Sequence, residues 1–389
     1  MKEIMKRRNL TYLLGATALL ILAISCPACT SIATGITNGF NKVADVITQP
    51  TARQQYAREF KDNKEIFTAW EADYDAAVKD SLQVSLPYGE KGSFLLNANG
   101  VYSYVFDLKE GEVLTAEVTK DSTARVFMDV FEQDGSDYRH LESTGMDEAS
   151  AEFVPNASGT YKIVIQPEIA ASGPFFISLN KKPLYKFPVA GKGNAAVGSF
   201  WGMERDGGAR KHEGIDIFAK KGTPVVAITN GSVSFTGERG LGGKQVWLRD
   251  GLFGKSLYYA HLDAIAVEQG QSVKVGDTLG FVGNTGNARF TPAHLHFGIY
   301  RFGGAVDPLP YVFTTEKISA KNYPVSFKSP ELKVKGNANL RQGPATTTNV
   351  IGSVTANETI KILGQHKDWL HIKTSDNRRA YLHKSLVKA

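Results

Sequence analysis

Cysteine is nearly absent from this 389-residue chain: there are two, Cys26 and Cys29, both beside the first apolar run. No disulfide framework can hold the rest together, so the downstream domains stand on packing alone, apart from any bound metal. Long apolar runs are lacking as well. The largely apolar stretch from Leu10 to Ile24 is shorter than the ~20 residues that a spanning helix needs. No long Lys/Arg run is present, and 45 basic against 39 acidic residues leave a formal charge of only +6. That weak, dispersed excess argues against a nucleic-acid partner and for a solvated surface, one that would also suit an anionic polymer. Core-forming residues are not scarce. With 42% hydrophobic and 22% charged residues the chain is not disordered, and its length suggests about two to four domains.

The two cysteines belong to the N-terminus. Lys2, Lys6, Arg7 and Arg8 precede the apolar Leu10–Ile24 run, the arrangement of an export signal. Ala23-Ile24-Ser25-Cys26 resembles a bacterial lipoprotein box, which implies acylation of Cys26 after cleavage and a membrane lipid anchor. Ala23 stands where that family usually has Leu, and Cys29, preceded by Ala28, is a second candidate. A plain secretory signal cut near Ala28 and an uncleaved anchor are the other readings. All of them place the working part outside the cytoplasm, in the periplasm or cell envelope.

Five segments follow one another. Residues 1–26 are the signal and 27–82 a helical spacer, where Tyr56, Phe60, Ile66, Trp70 and Tyr74 recur at roughly helical intervals. Residues 83–180 change to short alternating runs such as Val101–Phe106, Val113–Val118, Arg125–Phe131 and Tyr161–Ile165, separated by turn residues. This predicts a β-sandwich, similar to the jelly-roll-like domains that accompany secreted bacterial peptidases, with a spacing or binding role. His140 falls in a polar loop. Lys181-Lys182-Pro183 opens a linker to residues 185–313, which are rich in Gly and β-branched residues. Residues 316–330 lead to a compact unit at 331–389. The fold class is therefore mainly β and multidomain, with a short helical N-terminal segment.

Four of the eight histidines fall between residues 212 and 296. His294 and His296 alternate with Leu295 and Phe297, so a strand would project both imidazoles from one face. One can bind an ion while its neighbour is aimed at whatever the ion holds. His212 and Asp216 are four apart, but Gly214 and the β-branched Ile215 and Ile217 argue against a helix. The segment also lacks the second His of a His-Glu-x-x-His motif. A loop running into a strand, with Asp216 on its inner face, fits better. Two imidazoles and one carboxylate are a common catalytic zinc set with an open position for water. Zn²⁺ with a single carboxylate stays net positive and lowers the pKa of bound water from ~15.7 towards ~7. A histidine near its ordinary pKa is then suited to move the proton.

Together these blocks resemble the lysostaphin/LytM-type zinc endopeptidases of bacterial cell walls. The resemblance rests on His212-Glu213-Gly214-Ile215-Asp216, Tyr259-Ala260-His261-Leu262, the Val273–Gly286 run, His294-Leu295-His296 and Val306-Asp307-Pro308. It implies an antiparallel β-sheet peptidase domain in which His212, Asp216 and His296 hold Zn²⁺. His261 and His294 would be the paired catalytic histidines, and the peptide stems of peptidoglycan the substrate. Between Gly286 and His294 the chain departs from the family's shorter approach. Arg289 and Phe290 in that loop either contact substrate or form a solvated tip. In the last segment, Asn339-Leu340-Arg341-Gln342-Gly343-Pro344, Asp368–Ile372 and Tyr381–Val387 resemble the bacterial SH3-like barrel, which implies binding to cell-wall peptides or glycans. His366, His371 and His383 are read there as surface or strand residues. Two other readings remain: a non-catalytic wall-binding regulator of a separate amidase, and an endopeptidase acting on a protein.

Overall fold

A computed structural model describes residues 50–60, 63–95, 100–252, 254–323, 325, 327 and 329–388. The export signal and Cys26 and Cys29 lie outside the described residues. The chain divides into two units, Met1–Lys61 and Asp62–Ala389. In the first, the helix Ala52–Ala57 starts at a capping box. The Thr51 hydroxyl accepts from the Gln54 N–H while the Gln54 side chain accepts from the Thr51 N–H, which satisfies two otherwise orphaned donors. Among the described residues no helix is long and apolar enough to cross a membrane.

The second unit opens with the helix Lys64–Lys79. It buries Trp70, whose indole N–H donates to the Pro167 carbonyl at 2.9 Å and whose ring stands edge-on to Phe127. The sandwich beneath is built from strands that alternate inward apolar residues with outward polar ones. One sheet runs in the order Tyr102–Leu108, Gly159–Pro167, Val126–Asp134, Asp137–Ser143. The facing sheet runs Tyr88–Phe94, Gly173–Pro183, Glu112–Lys120, Ser150–Phe153. Tyr104, Leu114, Ile163, Ile165, Ile177 and Leu179 fill the space between them and are fully buried.

Three local expectations are revised here. Lys181-Lys182-Pro183 does not open a linker. The strand continues to Pro183, paired with Glu112–Lys120, and Lys181 and Lys182 reach Glu112 and Glu152 at 2.7 Å each. His140 lies in the strand Asp137–Ser143, not in a loop, with its ring against Phe131 and Nε2 on the Ser143 hydroxyl. The sandwich and the C-terminal barrel also share one sheet. Strand Tyr88–Phe94 pairs with Thr359–His366 through Lys91 opposite Gln365 and Gly92 opposite Gly364. Glycine is required on both sides of that junction. A Cβ on Gly92 would stand 2.5 Å from the Leu363 carbonyl oxygen, and one on Gly364 would stand 2.2 Å from Glu90 Oε1. The barrel itself closes over Val334, Leu340, Ile360, Leu370, Ile372 and Leu382.

At the junction His371 and His366 are strand residues, and both are buried. The fully buried Glu90 carboxylate accepts from the hydroxyls of Tyr88 and Tyr104 and lies 3.0 Å from His371 Nδ1. Burial alone would raise the Glu90 carboxyl; His371 and the two hydroxyls outweigh it and hold the group below its ordinary value.

The peptidase-like region, residues 185–313, is built on an antiparallel sheet whose main path runs Ser272–Val273, Gly231–Arg239, Gly243–Asp250, Ser256–Ile265, His294–Arg301, Ile215–Phe218, Val197–Ser199, beside a two-stranded ribbon of Glu204–Arg205 and Arg210–Lys211. Ile215, Ile217, Leu257, Tyr259, Leu295, Phe297 and Ile299 form its fully buried side. Strand alternation therefore turns Asp216, Tyr258, His294 and His296 to the opposite face.

Removing one partner of a buried charge strands the other. His371→Ala should therefore cost about 3–5 kcal/mol, and adding Glu90→Gln should recover part of the loss; purely additive costs in denaturant melts would refute this. Because the Glu90 pKa is depressed by folding, its stabilising effect is full above the unfolded carboxylate value and fades as pH falls through the folded one. The double variant should flatten the acid limb of stability against pH.

Candidate metal centre

The strand pair Ile215–Phe218 and His294–Arg301 sets Asp216 directly opposite His296 and Phe218 opposite His294. His212 arrives from the turn that precedes Ile215. Gly214 makes that turn possible, since a Cβ there would lie 2.6 Å from the Phe297 carbonyl oxygen and 2.7 Å from the His296 ring. The three side chains converge. His212 Nε2 lies 3.1 Å from Asp216 Oδ1 and 3.0 Å from His296 Nδ1, and His296 Nδ1 lies 3.1 Å from Asp216 Oδ1.

This triangle suits a metal ion better than a hydrogen-bond network. His212 Nδ1–H donates to the Phe200 carbonyl at 2.9 Å, so a neutral His212 turns a bare lone pair on Nε2 inward. Only a proton on His296 Nδ1 is then left to serve three contacts. A tetrahedral site with bonds of about 2.0–2.1 Å has ligand–ligand edges of about 3.3–3.4 Å, close to those seen. The Asp216 carboxyl lies well below the ordinary range. Burial would raise it, but His212 and His296 outweigh burial. His296 is pushed down by burial despite Asp216.

Two further imidazoles border the triangle. The rings of His261 and His294 are 5.1 Å apart, and His294 Nε2 is 3.9 Å from Asp216 Oδ1. His261 has φ +62° inside the strand Ser256–Ile265, a left-handed conformation that costs a non-glycine residue energy and clusters at functional sites. Each ring is anchored through Nδ1: His261 donates to the Thr285 carbonyl and His294 to the Pro292 carbonyl, both at 2.9 Å. Each Nε2 is left as the acceptor. Burial, with His294 and His296 nearby, lowers His261 to about 4, so it is an uncharged base at neutral pH.

All five histidine and aspartate residues singled out in the sequence thus meet in one cleft of about 710 Å³. Sequence reasoning missed Arg205. Its guanidinium holds the second oxygen of Asp216 at 2.8 Å and also reaches the Ser199 hydroxyl. No motif flags it; it arrives on a two-residue strand, Glu204–Arg205, paired to Arg210–Lys211. The unusual loop contributes Asn287, Ala288, Thr291 and Pro292 to the cleft, whereas Phe290 is 92% exposed.

Residues 210–308 match Peptidase family M23, and residues 336–388 match the bacterial SH3 domain. The chain is 35% identical over 145 residues to the L-Ala--D-Glu endopeptidase of Bacillus subtilis (strain 168), covering 34% of this chain and 44% of that protein. It is 39% identical over 110 residues to the DD-carboxypeptidase/endopeptidase Mpg of Neisseria meningitidis, covering 28% of this chain and 25% of that one. It therefore spans less than half the length of these curated relatives. Among solved structures it is similar to the catalytic domain of lysostaphin from Staphylococcus simulans, at 34% identity, covering 29% of this chain and 89% of that one, with a TM-score of 0.27. The chain carries an M23 peptidase domain of the lysostaphin/LytM type, followed by a bacterial SH3 domain.

If the triangle holds a divalent ion, Asp216→Ala should abolish tight metal binding in a chelator competition. Gly214→Ala, which displaces the turn carrying His212, should weaken it by about 10–100-fold. Unchanged affinity in both would exclude this site.

Proposed function

We propose that the protein is an exported zinc endopeptidase that cuts the peptide cross-links of bacterial peptidoglycan. One observation carries the reading: three convergent metal-ligand atoms lie beside two imidazoles whose free nitrogens face the same cleft. His212 Nε2, Asp216 Oδ1 and His296 Nδ1 would hold the ion. Bound there, zinc supplies Lewis-acid polarisation of a carbonyl and a water acidic enough to react at neutral pH.

The chain's own groups supply the proton handling. His261, uncharged because burial disfavours its cation, takes a proton on Nε2 and can return it to the departing amine. Its Nδ1–H bond to Thr285 fixes the tautomer this requires. His294, held by Pro292, presents Nε2 as a second group that orients the nucleophile or, when protonated, steadies a developing oxyanion. Arg205 holds the second oxygen of Asp216, so Oδ1 is the oxygen that would be offered to the ion.

The relatives named as endopeptidases support a peptide substrate in the wall. The SH3 domain fits retention on that polymer, and acylation of Cys26 fits attachment to the membrane. A non-catalytic regulator would have no use for all three ligands and both imidazoles, so the enzymatic reading is preferred.

Incubation of the zinc-loaded protein with cross-linked muropeptides, followed by mass analysis, should release monomers. His261→Ala and His294→Ala should each lower kcat by about 10²–10⁴-fold while zinc content is retained. Intact muropeptides after incubation with the zinc-loaded wild type would overturn the proposal.

A further inference from the structure

The peptidase sheet carries an aromatic row that the chemistry above does not use. Phe235 stands opposite Trp247, Trp247 opposite Tyr258, and Tyr258 opposite Gly298, across four consecutive strands. The rings of Trp247 and Tyr258 are stacked at 4.4 Å, and Tyr300 leans in to 5.1 Å from Trp247. Gly298 leaves room for that lean; a Cβ there would press within 3.0 Å of the Tyr300 ring. None of the four rings is fully buried, whereas Val246, Leu248, Tyr259 and Phe297 on the opposite face are. The row is therefore not core, and a contiguous row of half-buried rings beside a cleft points to a ligand.

Its position says which ligand. A groove of about 570 Å³ runs along Phe235, Trp247 and Tyr258 and shares Leu241, Gly242 and Tyr258 with the catalytic cleft. At its inner end the Tyr258 ring is 5.7 Å from the ring of His296. Under Trp247 and Tyr258 the groove lies on a sheet face where ladder bonds already occupy the backbone donors and acceptors, so a peptide cannot add there as a strand. Only beyond Val233 does the strand Gly231–Arg239 present an outer edge without a ladder partner among the described residues. What the face offers is ring surface fringed by the side chains of Ser234, Arg239 and Gln245. A pyranose has the complementary chemistry: a C–H-rich face for aromatic contact and a rim of hydroxyl and acetamido groups for hydrogen bonds. We propose that this row is a glycan subsite, binding an N-acetylated sugar of the strand whose stem peptide enters the cleft. The inference rests on the peptidoglycan reading above and adds a second recognition element to it.

Two measurements test it. Tetra-N-acetylchitotetraose should bind the wild type, followed by tryptophan fluorescence, and binding should weaken in Trp247→Ala and in Phe235→Ala. The ratio of kcat/KM for a disaccharide-bearing muropeptide dimer to that for the same peptide dimer stripped of sugar should fall about five- to tenfold in Trp247→Ala, chiefly through KM. Phe235→Ala, at the far end of the row, provides a second variant should Trp247→Ala fold poorly. No tetrasaccharide binding by the wild type, or an unchanged ratio in both variants, overturns the glycan subsite. Tetrasaccharide binding that depends on Trp247, in a zinc-loaded protein that cleaves neither substrate, would uphold the subsite and overturn the peptidase reading instead.

Discussion

The pairing of Ile215–Phe218 with His294–Arg301 is the constraint on which the site depends. Its register places Asp216 against His296, and the two-residue period of a strand does the rest. Ile215, Ile217, Leu295 and Phe297 are fully buried on one side, so a slip of the strand Ile215–Phe218 by one residue would expose Ile215 and Ile217 and turn Asp216 into the core. Hydrophobic burial worth roughly 1.5–3 kcal/mol per large side chain thereby fixes the position of a polar site. His212, the third candidate ligand, lies outside this register and depends on close backbone approach at Gly214.

Backbone carbonyls complete the design. Phe200, Pro292 and Thr285 each receive one imidazole Nδ1–H. These three bonds decide which nitrogen of His212, His294 and His261 is left with a lone pair. The tautomers are set by groups that carry no sequence signature, because any residue supplies a carbonyl. The same holds for the left-handed conformation of His261, which lets one residue of a strand turn its ring to the cleft while its neighbours Ala260 and Leu262 remain fully buried.

Much of the site was legible because its determinants are local. His294-Leu295-His296 announces its own geometry through alternation, and Gly214 with two β-branched neighbours excludes a helix over His212–Asp216. The mainly β, multidomain fold was equally readable from short alternating runs. What escaped detection depends on contacts between distant segments. Arg205 belongs to no motif and acts only where the Glu204–Arg205 strand folds back over Asp216. The aromatic row is spread over four strands, so Phe235, Trp247, Tyr258 and Tyr300 look unrelated along the chain. His371 sits between the apolar Leu370 and Ile372, as an outward-facing strand residue would; its burial requires Glu90, far away in the sandwich.

The sandwich makes contact with both of its neighbours. On one side its sheet runs on into the barrel through two glycines, with Glu90 and His371 buried at the seam. On the other, Glu110 receives the hydroxyl of Tyr311 at 2.7 Å and the Arg301 guanidinium at 2.8 Å, both from the peptidase region. The Tyr311 ring lies over Gly111, where a Cβ would come within 2.5 Å of it. A barrel joined in this way spends strand Thr359–His366 on the junction, so any ligand of the barrel has to use its remaining faces. A barrel and a cleft both fastened to one sandwich would also meet a polymer in a fixed relation, unlike modules on flexible linkers, whose second contact is governed by linker length. For the proposed peptidoglycan substrate, that fixed relation would convert any retention by the barrel into a defined presentation of peptide to the cleft.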